Sequence, residues 1–272
     1  MDRTGAPTEC DRRSPGFRVL GPVEAVIDGL SVRLTPKCRC LLAALLVNAG
    51  RPVRAERLIG YLWDGDEKPS RTALHIHVTR LRKAISSRHH PDRLIRTVSD
   101  GYLADLPGAD ALDLNRFDAA VRAAASARRA GDAAVETRLL TEAMSCWRGA
   151  ALSDVPSPGL HREVVPALTE RWLQTADRRC ELAVFSGAPQ QVLPELRMLV
   201  AEHPGRERFR YLLMLALFRN DQRGNALREF RMARQWLNDN LGIDPGRRLA
   251  RLHNAILTGD EADLAAAEGR IG

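Results

Sequence analysis

Basic side chains are concentrated in one short stretch of the chain, residues 71–96. This stretch holds seven arginines and lysines against a single acidic residue, Asp92. Such a concentration of guanidinium and ammonium groups is typical of a surface that binds a polyanion such as nucleic acid. The seven basic residues are Arg71, Arg80, Arg82, Lys83, Arg88, Arg93 and Arg96. Phosphate binding is therefore the first chemistry that the sequence indicates.

An amphipathic helix is predicted to display much of this charge. Ser70 is suited to cap its start, and at about 100° per residue Leu74, Val78, Leu81 and Ile85 fall on one apolar stripe. The opposite side carries Thr72, Ile76, Thr79, Arg80 and Lys83. A basic amphipathic helix is often no more than a solvated one, so its neighbours in the chain must decide its role.

Two predicted helices precede the basic helix, and a hairpin follows it. Leucines at helical spacing predict helices over 37–49 and 55–63, and a polar turn at 64–69 separates the second of these from the basic helix. Residues 94–106 alternate in polarity around a turn at 99–101, which predicts a β-hairpin carrying Arg96 and Thr97. Helix, polar turn, basic helix and basic hairpin in this order are typical of a winged helix-turn-helix DNA-binding domain.

A small antiparallel sheet is expected to open this domain. Residues 17–34 alternate around Asp28-Gly29, a strong hairpin signal, while residues 1–16 are polar and predicted to be a disordered tail. The domain predicted over 17–108 holds fifteen basic and nine acidic residues, a net charge of +6. Residues 109–272 carry a net charge of only +1, so the basic character belongs to the first domain.

Beyond residue 108 the pattern is entirely helical. Two segments, APQQVL at 188–193 and QRGNAL at 222–227, each open a predicted helix and lie 34 residues apart, which is the period of tetratricopeptide repeats. The fold class expected is therefore mainly α, with a winged helix-turn-helix and small sheets followed by a tetratricopeptide-like array over 109–258 and a flexible tail over 259–272. The helices are predicted over 117–130, 133–147, 164–185, 192–203, 206–218, 226–241 and 247–257.

Catalysis is not expected. The sequence has no G-x-S-x-G elbow, H-E-x-x-H helix, phosphate-binding glycine loop or cysteine and histidine spacing suited to a metal. His75 and His77 are two residues apart on a helix and point in different directions, which favours a phosphate or core-edge role over metal binding. Five cysteines without C-x-x-C spacing predict reduced thiols. With no long apolar run, the expectation is a cytoplasmic protein without cofactor, metal or membrane contact.

Several motifs resemble one family, the Streptomyces antibiotic regulatory proteins. The segments FRVLGPVE (17–24), ALHIHVTRLRK (73–83) and GYL (101–103) are similar to its OmpR-type DNA-binding domain. The segments LDLNRF (112–117) and LGIDPG (241–246) are similar to its bacterial transcriptional activation domain. The resemblance implies an activator of a secondary-metabolite gene cluster. It also implies binding as a homodimer or as tandem copies to direct repeats in double-stranded DNA, with recruitment of RNA polymerase including its sigma factor.

The predicted DNA-binding residues divide into base and phosphate contacts. Arg80 can offer two N–H donors to a guanine, and Ile76 can contact a thymine methyl in the major groove. Phosphate or supporting contacts are predicted for Arg71, Thr72, His75, Thr79, Arg82, Lys83, Arg96 and Thr97. The turn after the second helix should face away from the DNA groove that the basic helix enters. The resemblance suggests that this turn contacts polymerase through Asp64, Asp66, Glu67 and Lys68.

One alternative function stays open. In it, the helical array is the working part, as a protein-interaction scaffold or small-ligand sensor, and the winged domain binds a protein instead of DNA.

The tip of the second hairpin, Ser99-Asp100, departs from the family's usual residues. Whether this hairpin contacts the minor groove of DNA therefore stays open.

Overall fold

The computed structural model describes residues 16–63, 70–86, 94–186 and 189–259. By residue contacts the chain divides between Leu173 and Gln174 into a first and a second compact unit. This division differs from the sequence-predicted boundary at 108/109, which separates two fold types and stays a prediction. The predicted tails over 1–16 and 259–272 lie almost entirely outside the described residues.

The first unit opens with a three-stranded antiparallel sheet. Its strands are β1 (Gly16–Arg18), β2 (Glu24–Ile27) and β3 (Leu30–Ser31), in that order. Asp28 and Gly29 both have positive φ, +50° and +81°, as a tight turn between twisted strands requires. The predicted hairpin and the small antiparallel sheet are present, and the segment before the turn supplies two strands, β1 and β2. Residues 19–23 leave the sheet there because the backbone N–H groups of 19 and 20 bind a carboxylate instead of a strand.

Three helices and a second sheet form the rest of the winged domain. The helices are α1 (Pro36–Leu46), α2 (Ala55–Trp63) and α3 (Arg71–Ile85). The sheet contains β4 (Val53–Arg54), β5 (Ile95–Val98) and β6 (Gly101–Ala104) in the order β4-β6-β5. The three predicted helices and the second hairpin are present.

Strand β4 was not predicted, since two residues are too few for a periodic signal. Val53 pairs with Tyr102, and Arg54 pairs with Gly101. Only glycine fits at 101, because a Cβ there would lie 2.0 Å from the carbonyl oxygen of Val53. This close approach fixes the start of α2 against the turn between β5 and β6.

Helices alone make up the remainder of the first unit after a short 3-10 turn at Ala109–Ala111. They are α4 (Asp113–Arg129), α5 (Ala133–Ser145), α6 (Pro158–Glu163) and the first part of α7 (Val165–Phe185). Asp113 is 1% exposed, and its carboxylate accepts hydrogen bonds from the backbone N–H groups of Val19, Leu20 and Leu114. Burial raises the pKa of Asp113, and these hydrogen bonds oppose the rise. The bonds anchor α4 to the opening segment of the chain.

The second unit continues the helical pattern. Its helices are the end of α7, α8 (Pro189–Glu202), α9 (Glu207–Arg219), α10 (Arg223–Leu241) and α11 (Arg247–Thr258). Helices α8 and α10 begin 34 residues apart, as the predicted repeat requires. Helix α9 packs against α8, α10 and α11. The predicted fold class, mainly α with small sheets in the first half, is confirmed.

No helix within the described residues is long and apolar enough to cross a membrane.

Candidate nucleic-acid interface

Helix α3 is set into the first unit by its apolar stripe. The hydroxyl of Ser70 accepts a hydrogen bond from the N–H of Ala73 at 3.4 Å, which caps the helix as predicted. Its four stripe residues are each at most 2% exposed, and they join the core formed with α1 and α2. The stripe consists of Leu74, Val78, Leu81 and Ile85. With one side fixed in the core, the opposite side of the helix faces solution.

The exposed side of α3 forms what we call the recognition face. Ile76 is 47% exposed and supplies an apolar contact among the polar side chains of this side of the helix. Arg80 and Lys83 are exposed and form no ion pair with any described residue. The recognition face consists of Arg71, Thr72, His75, Ile76, Thr79, Arg80 and Lys83. A surface with two unpaired cations, hydroxyls and one apolar contact can bind both phosphates and base edges.

An open basic groove of about 780 Å³ lies between α3 and the β5–β6 hairpin. Among the described residues, those that line this groove include no aspartate or glutamate. They are His75, Thr79, Arg82, Lys83, Ser86, Ile95, Arg96 and Thr97. Arg96 forms an exposed ion pair with Asp105 at 3.2 Å, so a phosphate would have to compete with that carboxylate. The groove brings together six of the ten residues predicted to bind DNA.

Arg82 joins the helix to the hairpin. Its Nε donates to the carbonyl oxygen of Ile95 at 3.0 Å, and its Nη2 donates to the hydroxyl of Thr97 at 2.8 Å. The guanidinium also lies 6.0 Å from the ring centre of Tyr102. Arg82 and Thr97, both predicted to contact DNA, thus bind each other. Their contacts hold the hairpin at a fixed distance from α3.

Arg71 is held by two carboxylates at the start of α3. Its guanidinium contacts Glu56 and lies 3.1 Å from Asp100 at the hairpin tip, while Arg54 lies 3.9 Å from the same aspartate. The hydrogen bond from Arg71 lowers the pKa of Glu56. Sequence patterns gave no sign of this cluster, because Glu56 and Asp100 are 15 and 29 residues away from Arg71. We call Arg54, Glu56, Arg71 and Asp100 the tip cluster.

The two histidines of α3 point in different directions, as expected from their spacing. His75 lines the groove, whereas the ring of His77 packs edge-on against Trp63 with 5.6 Å between ring centres. Burial, with the charges of Arg80 and Lys37, lowers the pKa of His77. His77 thus has the core-edge role.

Reactive groups are scarce elsewhere in the described residues. They contain no cluster of three or more side chains that could hold a metal ion. Their four cysteines are unpaired, and burial raises the pKa of Cys40 to about 11 and that of Cys180 to about 12. Thiols with such pKa values stay protonated at neutral pH and are poor nucleophiles.

The predicted polymerase contact lies outside the described residues. Asp64, Asp66, Glu67 and Lys68 all belong to the segment 64–69, between the end of α2 and the cap of α3. Their role stays a prediction.

Two family models match the chain. Residues 29–103 match the model described as "Transcriptional regulatory protein, C terminal", and residues 112–257 match that of the bacterial transcriptional activator domain. The first match covers α1 to most of β6, including the recognition face, and the second covers α4 to α11.

Known relatives agree with these matches. Regulatory protein AfsR of Streptomyces coelicolor is 38% identical over 97% of this chain, and transcriptional regulator RedD of the same species is 35% identical over 90%. The chain spans 28% of the length of AfsR and 71% of that of RedD. The solved structure of Mycobacterium tuberculosis EmbR, in complex with a low-affinity phosphopeptide, is also similar. The alignment covers 94% of this chain and 69% of the EmbR chain. It has a TM-score of 0.83 and 32% identity.

The domain order, the relatives and the fold all point to one group of proteins, and they confirm the family resemblance found in the sequence. The chain belongs to the Streptomyces antibiotic regulatory proteins, transcriptional regulators with an OmpR-type DNA-binding domain followed by a bacterial transcriptional activator domain.

Proposed function

We propose that this protein is a sequence-specific DNA-binding activator of a secondary-metabolite gene cluster. It binds direct repeats near promoters and recruits RNA polymerase, including its sigma factor. The observation that carries the proposal is the recognition face, which projects Ile76, Arg80 and Lys83 into solution. Beside it lies a basic groove whose described lining residues include no acidic one. In winged helix-turn-helix proteins the equivalent helix enters the major groove.

The recognition face divides its contacts. Arg80 has no ion-pair partner among the described residues, so its five N–H donors can form a two-point contact with guanine. Ile76 meets a thymine methyl, and Thr72, His75, Thr79 and Lys83 bind phosphates. The predicted phosphate contact of Arg71 requires that the tip cluster open, because two carboxylates hold its guanidinium.

The hairpin acts mainly through its position. Arg82 and Thr97 are hydrogen-bonded to each other, so we assign them the placement of the hairpin over the flanking phosphates. Arg96 lies in the same groove and supplies its phosphate contact. This arrangement explains why the groove is basic without every basic residue in it touching DNA.

Substitution of Arg80 tests the base contact. Arg80→Ala should cost about 1–3 kcal/mol of binding free energy on the specific site and relax the preference at one base pair. The measurement is fluorescence anisotropy with the specific duplex and with a random duplex of equal length. Equal losses on both duplexes would make Arg80 a phosphate contact and refute the base-reading role.

The steepness of the salt dependence tests DNA binding itself. A protein that neutralises several phosphates releases counterions, so its affinity should fall steeply and linearly in a logarithmic salt titration. DNase protection upstream of the neighbouring genes locates the site. A shallow salt dependence together with no protected sequence would favour the alternative in which the helical array is a scaffold or ligand sensor.

Binding in tandem has a geometric test. Two winged domains meet the same face of DNA only if the repeats lie about one helical turn apart, roughly 10–10.5 base pairs. Inserting five base pairs, about half a turn, should abolish cooperative binding while leaving the affinity of one repeat unchanged. Unchanged cooperativity would refute the tandem arrangement.

Polymerase recruitment is assigned to the segment 64–69. The double variant Glu67→Ala with Lys68→Ala should leave promoter affinity within about a factor of two and reduce transcription in a purified system. Equal losses of affinity and transcription, or no change in either, would exclude this segment as the activating surface.

A further inference from the structure

A six-residue segment occurs twice in the second unit. It is LPELRM at 193–198 in α8 and LREFRM at 227–232 in α10, so leucine, glutamate, arginine and methionine recur after 34 residues. Both helices also begin 34 residues apart, at Pro189 and Arg223. The repeated residues therefore occupy equivalent positions in two tetratricopeptide-like units.

Packing accounts for the first half of the segment. Both leucines are at least half-buried. Glu195 forms an ion pair with Arg179 of α7, and Glu229 forms one with Arg210 of α9 at 2.7 Å. In each repeat the glutamate thus binds an arginine of the preceding helix. Leucine and glutamate recur because each repeat must pack against the helix before it.

Packing does not account for the second half. Met198 is 50% exposed and Met232 is 53% exposed, although they are two of only five methionines in the chain. Arg197 and Arg231 are exposed, and neither has an ion-pair partner among the described residues. Methionine has about the same helix propensity as lysine or glutamine, so the exposed methionines at 198 and 232 do not stabilise their helices more than those polar residues would. Helix stability therefore does not explain why they recur.

The two arginine–methionine pairs lie at equivalent positions, eight and nine residues after the first residue of α8 and of α10, and both helices pack against α9. Equivalent positions of stacked repeats line one surface, so the two pairs share a surface. Burial raises the pKa of Glu229, and the charges of Arg210 and of Arg197 oppose this rise. The charge of Arg197 in α8 thus acts on a glutamate of α10, in agreement with this placement. Arg228, one turn before Arg231, is exposed as well and is a third arginine of these helices that forms no ion pair with any described residue.

We propose that Arg197, Met198, Arg231 and Met232, the Arg–Met surface, bind an acidic amphipathic segment of a partner protein. Carboxylates of the partner bind the guanidinium groups, and its apolar side chains cover the flexible methionines. The exposed carboxylates of these helices, Glu202 and Asp239, lie in the last turns and leave this part of the surface positive.

The composition of the surface selects this class of partner. A nucleic acid would use the arginines and leave two methionines in water, and an uncharged apolar helix would cover the methionines and desolvate the arginines without partners. Arginine and methionine are also both enriched in protein–protein interfaces. The surface lies outside α3, so the inference does not depend on DNA binding.

Fluorescence anisotropy with the full-length protein tests the proposal. The probe is a labelled helical peptide of about 18 residues with leucine on one face and glutamate on the other. Two matched peptides carry lysine in place of glutamate or serine in place of leucine. The protein variants are R197E/R231E and M198S/M232S. The control R122E/R128E makes the same charge change on exposed arginines of α4.

The acidic leucine peptide should bind, and both matched peptides should bind at least tenfold more weakly, about the loss that unpaired charges and lost apolar cover each produce. R197E/R231E and M198S/M232S should each weaken binding by about tenfold, with the control within about twofold. Circular dichroism and thermal unfolding establish that each variant folds.

Three results would overturn the proposal. The lysine peptide could bind equally well, or the control variant could lose as much affinity as R197E/R231E, in which case net charge and not the surface is responsible. In sedimentation, M198S/M232S could instead convert a dimer to a monomer, which would make the surface an interface between two copies of this chain.

Discussion

Replacement of Arg82 separates a residue that positions the hairpin from one that binds phosphate. In Arg82→Ala the protein loses a hydrogen bond of 3.0 Å to the carbonyl of Ile95 and one of 2.8 Å to the hydroxyl of Thr97. Both bonds come from the charged guanidinium of Arg82; the first is half-buried and the second is exposed. Together they should lower the free energy of unfolding by about 2 kcal/mol.

A loss of about 2 kcal/mol corresponds to a fall in melting temperature of about 4–8 °C for a unit of this size. The affinity for the specific duplex should also fall, because the hairpin is no longer held beside α3. The slope of the logarithmic salt titration should stay the same, because the released hairpin still carries Arg96, which can form its phosphate contact once the hairpin is ordered on the DNA.

Lys83→Ala is the matched control. Lys83 lines the same groove but is exposed and forms no ion pair with any described residue. Its removal should leave the melting temperature within about 1 °C, as surface substitutions usually do, and should reduce the salt slope by about one. If Arg82→Ala instead keeps its melting temperature and reduces the salt slope, Arg82 is a phosphate contact and the positioning role is refuted.

Three further perturbations test other parts of the winged domain. Gly101→Ala places a Cβ 2.0 Å from a carbonyl oxygen of β4, so the free energy of unfolding should fall by at least about 1–3 kcal/mol in urea denaturation. Gly108→Ala is the control, because a Cβ added there would have no atom beyond its chain neighbours within 4 Å, and it should change the free energy of unfolding little. Glu56→Gln with Asp100→Asn frees the arginine that they hold, so affinity for DNA should rise at low salt. No rise would mean that this arginine does not bind phosphate. Because burial lowers the pKa of His77, the folded state takes up its proton less readily, and stability should fall as pH drops below about 6.5. His77→Gln should flatten that part of the pH profile, and an unchanged profile would exclude His77 as the cause.

Local patterns determined most of the elements of this protein. Residues 74, 78, 81 and 85 share a stripe because a helix repeats every 3.6 residues, and this stripe is buried in the structure as the spacing required. Asp28-Gly29 forms its turn because these residue types tolerate positive φ. The 34-residue spacing of α8 and α10 likewise needs only the sequence. The basic face of α3 was visible for the same reason, since one period places its residues together.

Only the tertiary structure decided which long side chains of that face are free to contact DNA and which are held by other residues of the protein. Arg71 and Arg80 look alike in the sequence, yet Arg71 is held by carboxylates 15 and 29 residues away, and Arg80 has no ion pair with any described residue. Arg82 bonds to a hairpin that follows it by 13 to 15 residues, and Asp113 binds backbone groups 93 and 94 residues before it. A periodic pattern fixes the direction of a side chain from its own helix. Its partner depends on how distant segments pack, and no local spacing records that packing.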